Sequence, residues 1–147
     1  MTKKTKVLLV EDDLFHRELL AEGLRDYYSY DVVVAENLPR AEEWLQGGLT
    51  PDLIVLDCVL SENRFEAMDW AERLRSRPGL SATPILFVTA FYREMEERAK
   101  GIQHSAMLAK PFGFEDVTNK MQELLAGKGE PAQPAGDQTR RPGSAPL

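Results

Sequence analysis

The sequence has one cysteine, two histidines and two tryptophans in 147 residues. A lone thiol, Cys58, excludes an intramolecular disulfide. It lies inside an apolar run with no histidine near it in sequence, which reads as a buried side chain rather than a nucleophile. No apolar run approaches the length of a membrane span. The basic opening MTKKTK is followed by only four apolar residues, too few for the core of a signal peptide. A cytoplasmic protein without membrane association is expected. Basic charge is also in deficit, because 18 Lys and Arg face 24 Asp and Glu for a formal net charge of −6. Such a chain repels phosphate backbones, so direct binding of DNA or RNA is not expected without a separate basic module. The absence of G-x-x-x-x-G-K-[ST] excludes a P-loop nucleotide enzyme.

What remains is an ordinary globular balance, 43% hydrophobic and 29% charged, at a length suited to one domain with a proper core. Short runs rich in Val, Ile and Leu recur along the chain: VLLV at 7–10, VVVA at 32–35, LIVL at 53–56, PILFVT at 84–89 and AMLA at 106–109. Their continuous apolarity suits strands covered on both faces.

Segments of helical period separate them. Residues 14–27 read as a helix with Phe15, Leu19, Leu20 and Leu24 on its apolar side. Asn37-Leu38-Pro39 has a capping side chain and an early proline, and Gly47-Gly48 closes that helix. Helical patterns follow at about 63–76, 93–100 and 114–125. Five strands, each followed by a helix, predict a doubly wound α/β domain with a mainly parallel sheet over residues 1–126. Residues 127–147 hold four Gly and four Pro with a net charge of +1. They are expected to be a disordered Gly/Pro-rich tail, leaving the body at −7.

In an open parallel sheet, ligands bind beyond the carboxyl ends of the strands. The first strand delivers Glu11 and Asp12 there, the third ends at Asp57, the fourth at Thr89, and the fifth runs into Lys110-Pro111. Any one of these could be a strand end turning polar where it meets water. Taken together, two carboxylate clusters, a hydroxyl and an ammonium would converge on one edge.

This set resembles the receiver domain of bacterial two-component response regulators, including the single-domain chemotaxis type. The residues that carry the likeness are Glu11-Asp12 in LLVEDD, Asp57 in LIVLDCVL, Thr89-Ala90 in PILFVTA and Lys110-Pro111-Phe112 in MLAKPF. The resemblance implies a flavodoxin-like (βα)5 domain with strand order 2-1-3-4-5. It also implies a phosphorylation-activated switch that takes a phosphoryl group from phosphohistidine onto Asp57. The partners implied are a sensor histidine kinase or a histidine phosphotransfer protein. Mg²⁺ would be held by Glu11, Asp12, Asp57 and the backbone carbonyl of Val59, and Lys110 and Thr89 would complete the shell around the phosphoryl group.

Carboxylates this close cannot all stay ionised without cost, and a hard cation with oxygen ligands relieves them. Asp13 is the surplus acid, expected to face solvent at a helix start where the dipole favours it. His16 and His104 lack partners at metal-ligand spacing and read as surface or helix residues. Such a domain is a phosphoacceptor that assists its own phosphorylation and dephosphorylation rather than an enzyme acting on others. Its output surface would lie on the fourth and fifth strands and their helices, including Phe91, Tyr92 and the outer face of 114–125, and would engage a separate downstream protein. The bond before Pro111 is typically cis in this family.

Several positions depart from the family pattern. Ser61 and Phe65 stand where it usually has Pro and Gly. Met107 stands where an aromatic often moves with the threonine; a thioether can fill that gap but has no ring to swing. Val59 and Phe91, both apolar, occupy places bordering the phosphoryl group, so they should hinder attack by water and lengthen the life of the phosphoprotein. A phosphohydrolase of the haloacid dehalogenase type needs a second acid two residues beyond its nucleophile, where this chain has Val59. A receiver-shaped interaction module that signals without phosphate is the alternative function.

Overall fold

The computed structural model describes residues 4–58 and 65–127. The expected tail beyond Gly127, Val59 and Ser61 lie outside the described residues. Five strands alternate with five helices: β1 (Lys6–Val10), α1 (Leu14–Tyr28), β2 (Asp31–Ala35), α2 (Leu38–Gln46), β3 (Leu53–Asp57), α3 (Glu66–Leu74), β4 (Ile85–Thr89), α4 (Tyr92–Lys100), β5 (Ser105–Ala109) and α5 (Phe114–Ala126). All pairings are parallel, in the order β2-β1-β3-β4-β5. This is the flavodoxin-like order.

The strands are apolar between their ends because successive side chains face opposite helical layers. Leu8, Val10, Ile54, Leu56, Ile85 and Phe87 pack with α2, α3 and α4. Val7, Leu9, Leu53, Val55, Leu86 and Val88 pack with α1 and α5. Phe87 is fully buried, and its truncation to Ala would cost about 3–5 kcal/mol.

Local chemistry sets the helix ends. Asp13 and Asn37 cap α1 and α2, accepting the backbone N–H of His16 and Arg40. Ser29 closes α1 in the left-handed conformation, at φ 56°. At the edge of the sheet opposite the carboxyl ends, Arg75 donates to four backbone carbonyls, those of Leu80, Thr83, Gln103 and His104. It thereby ties the segments that enter β4 and β5.

Helix α1 corrects one sequence expectation. Phe15 and Leu19 do not join Leu24 against the sheet; they are 69% and 59% exposed. The buried stripe runs through Ala21 and Leu24 with Leu20 beside it. Phe15 and Leu19 lie four residues apart on a stripe displaced by one residue, about 100° around the helix.

Candidate functional site

Strand register aligns the ends that carry the chemistry. Val10 pairs with Leu56, Asp57 with Val88, and Thr89 with Ala109. The chain continues each ladder one step further, with Cys58 N–H bonded to Val88 O and Lys110 N–H to Thr89 O. Glu11, Asp57 and Lys110 therefore leave the sheet at nearly one level.

Glu11 and Asp57 are buried, at 6% and 2% exposure, whereas Asp12 is exposed. One carboxylate oxygen from each of the three lies within 4.8 Å of the others. Lys110 Nζ reaches Asp57 Oδ2 at 3.2 Å. Among the described residues, three acids, two of them buried, thus face one ammonium. Burial first, then a hydrogen bond with Asp57 and the charge of Asp57, push the Glu11 carboxyl up to about 8. That crowding is the observation by which a hard divalent cation fits: the donors are all oxygen, and their combined charge exceeds what Lys110 offsets. Glu11, Asp12 and Asp57 are the residues that could hold it.

The surplus acid faces solvent. Asp13 is exposed and caps α1, and the His16 N–H holds its carboxyl below the ordinary value. The Asp13 N–H in turn donates to Glu11 Oε2 at 3.2 Å. Arg17, one turn into α1, donates to Glu11 O at 3.0 Å. Sequence reading missed this brace, because an arginine early in a helix carries no signal that it turns back to the preceding strand.

Thr89 is wholly buried at the end of β4. Its Oγ1 accepts the Phe91 N–H at 2.8 Å and donates to Met95 Sδ at 3.3 Å. The hydroxyl is therefore engaged by the start of α4. The Lys110–Pro111 peptide bond is cis. Cys58 is buried, and burial pushes its thiol up to about 12, in keeping with an inert side chain. His16 and His104 are exposed, the former on α1 and the latter in the loop before β5. Phe91 and Met107 are half-buried against the core on the α2–α4 side of the sheet.

A groove of about 490 Å³ opens beside the acids, between α1 and the β5–α5 connection. Leu19, Leu20, Pro111, Phe112 and Phe114 form most of its wall, and Glu11 and Lys110 stand at one end. Leu14, Phe15 and Leu19 are exposed on the same helix. The sequence could have shown this, since α1 carries more apolar residues than one buried stripe needs.

Comparison with known proteins agrees on one family. The family model described as "Response regulator receiver domain" matches residues 7–122. Among curated proteins, the chain is 34% identical over 131 residues to hybrid signal transduction histidine kinase D of Dictyostelium discoideum, covering 85% of this chain and 8% of that protein. It is 30% identical over 135 residues to the transcriptional regulatory protein PdtaR of Mycobacterium tuberculosis, covering 86% of this chain and 63% of that one. The chain therefore spans less than two thirds of either relative.

Among solved structures, the chemotaxis protein CheY4 of Vibrio cholerae superposes with a TM-score of 0.74 at 24% identity, over 83% of this chain and 99% of that one. The receiver domain of sensor histidine kinase PA1611 of Pseudomonas aeruginosa, solved with a magnesium ion in its active site cleft, gives 0.68 at 20% identity, over 84% and 99%. Likeness at these identities speaks for the fold. Among the described residues, no helix is long and apolar enough to cross a membrane.

Proposed function

The chain belongs to the response regulator receiver domain family, and from that premise we propose that it is a phosphorylation-activated switch of a two-component phosphorelay, with Asp57 as phosphoacceptor. The observation that carries this reading is the meeting of buried Asp57 with Glu11, Asp12 and Lys110 at the carboxyl edge of the sheet. An ionised carboxylate needs no base to act as nucleophile. Asp57 attacks phosphorus, its O–P bond forms as the P–N bond of a phosphohistidine breaks, and the imidazole, already protonated on its other nitrogen, takes the bond pair and leaves as the neutral ring. Transfer of this kind runs through a loose transition state, so positioning and charge stabilisation make up the catalysis.

Lys110, already 3.2 Å from the Asp57 carboxylate, neutralises charge on the transferred group. Glu11 and Asp12, with Asp57, would hold Mg²⁺, which when bound supplies positive charge to the phosphoryl oxygens. Thr89 turns from α4 to the new acceptor oxygens, and its departure alters the surface built from β4, β5, α4 and α5. A downstream protein reads that surface, in which Tyr92 and the outer face of α5 take part. The chain assists its own phosphorylation and dephosphorylation, and it acts in the cytoplasm.

The phosphodonor, a histidine kinase or phosphotransfer protein, docks on the apolar wall around Leu19, because that wall ends at Glu11 and Lys110 and is where a donor must approach. The body of the domain, with its acidic surplus, is not a nucleic-acid binder. Residues 1–126 form the receiver unit, and 127–147 act as an extension.

Incubation with acetyl phosphate and Mg²⁺, followed by intact-mass measurement, tests the reading. One phosphoryl unit is expected on the native protein and none on Asp57→Asn. A native protein that stays unmodified would favour an interaction module working without phosphate.

A further inference from the structure

The Thr89 hydroxyl has one hydrogen, given to Met95 in α4, and can donate it to a phosphoryl group only by letting go of that contact. Phe91, whose N–H it accepts, is the residue from which α4 starts, and Met95, whose sulfur it contacts, is fully buried in that helix. Freeing the hydroxyl therefore disturbs the first turn of α4.

Near its other end, α4 is tied down. Arg98 reaches across to α3, where its guanidinium donates to Asp69 and, at 3.1 and 2.9 Å, to both oxygens of Glu72. Its Cζ also lies 5.7 Å from the centre of the Phe65 ring. Those carboxylates hold the guanidinium firmly in its charged form. Phe65 opens α3 at the end of the connection from Asp57. It is one of the residues that depart from the family pattern, and its ring gives Arg98 a third surface to hold. An isolated exposed ion pair contributes little, but a planar fork gripping two carboxylates and a ring is the arrangement in which such pairs matter.

We propose that Arg98 is a positioning residue for the switch: by tying α4 to α3 it restrains the helix that holds Thr89, and so weakens the grip of the domain on a phosphoryl group at Asp57. The inference rests on the phosphoacceptor reading given above. Its logic is linkage. An interaction that favours the arrangement with Thr89 on α4 over the alternative lowers affinity for whatever recruits Thr89, by the same factor.

Beryllium trifluoride with Mg²⁺, a mimic of the phosphoryl group on a carboxylate, is the probe. It is titrated into the full chain and followed by NMR of the Thr89 and Phe91 amides. Arg98→Gln and the double variant Asp69→Asn/Glu72→Gln are each expected to bind it about two- to fivefold more tightly than the native protein, while their thermal midpoints fall. Arg98→Lys keeps the charge without the fork and should lie between. Lost stability with tighter binding is a pattern that a merely structural role does not produce. Unchanged or weaker binding in the variants would overturn the proposal, and if Arg98→Gln fails to fold, the double variant decides. A native protein that shows no response to the probe would instead overturn the phosphoacceptor reading itself.

Discussion

Replacing Asp57 with asparagine should stabilise the metal-free protein, the opposite of the usual effect of altering a buried, ion-paired residue. Asp57 is 2% exposed, lies 3.2 Å from Lys110 Nζ, and has an oxygen within 4.8 Å of both Glu11 and Asp12. At an effective dielectric of about 20, the attraction to Lys110 contributes roughly 5 kcal/mol, and each like-charge pair at the longer distance costs roughly 3.5 kcal/mol. Among the described residues, two repulsions thus exceed one attraction by up to about 2 kcal/mol, water screening the share of the exposed Asp12.

Glu11 can escape its share by keeping a proton, but then the cost takes another form. Its carboxyl moves from 4.5 to about 8, so at neutral pH the folded chain holds a proton that the unfolded chain has released. That costs about 3 kcal/mol. Burial is the largest cause of that shift and stays in the variant, so only the share due to Asp57 is relieved, and Asp57→Asn should be more stable than the native protein by up to about 2 kcal/mol in EDTA. Mg²⁺ at ten times its dissociation constant should return about 1.4 kcal/mol to the native protein and much less to the variant. Urea unfolding followed by the fluorescence of Trp44 and Trp70 measures both. A variant less stable than the native protein in EDTA, with equal gains from Mg²⁺ in each, would refute the electrostatic account.

Other outcomes follow from separate parts of the molecule. Arg75→Ala should lose about 1–3 kcal/mol, because the part-buried carbonyls of Leu80 and Thr83 lose this donor, and Arg75→Lys should not restore it, since an ammonium cannot match the fork; denaturant midpoints decide this. Glu42 accepts from Trp70 Nε1 at 2.9 Å and from Arg77 at 2.6 Å, and although burial opposes it, these bonds hold its carboxyl below the ordinary 4.5. A depressed folded value means stability that is present above 4.5 and lost as pH falls through the lower folded value. The stability difference between the native protein and Glu42→Gln should therefore shrink on acidification, as read by thermal melts across that range. Polar side chains at positions 59 and 91 should shorten the phosphoprotein half-life severalfold, whereas an unchanged decay would remove the role assigned to Val59 and Phe91. Leu19→Asp should slow transfer from a phosphohistidine donor while leaving acetyl phosphate labelling intact, and equal slowing with both donors would count against docking on α1.

Much of this molecule was legible because strand position and side-chain type coincide. The five apolar runs became five strands within a residue or so of their expected bounds. Because parallel strands end at one edge, Glu11, Asp12, Asp57 and Lys110 could be brought together from the sequence alone. Asn37 as a cap and Gly47 as a stop followed from backbone chemistry alone.

What escaped depends on partners distant in sequence. Phe15 and Leu19 share the apolar character of Leu24, and only the angle at which α1 settles on the sheet decides which stripe is buried. The carbonyls around Arg75, the Glu42–Trp70–Arg77 link and the reach of Arg98 to α3 have no local signature, because an arginine reads the same in sequence whether it meets water or a neighbouring element. The engagement of Thr89 by Met95 is of the same kind: the threonine stood out in the sequence, but not that its hydroxyl points toward α4.

The central claim is that Asp57 accepts a phosphoryl group, and locating that group tests it most directly. After exposure to acetyl phosphate and Mg²⁺, borohydride reduction converts an aspartyl phosphate to homoserine, which peptide mass spectrometry can map. Homoserine at position 57, lost when Mg²⁺ is withheld, is the predicted result. A modified chain with position 57 unchanged and the phosphoryl group elsewhere would contradict it.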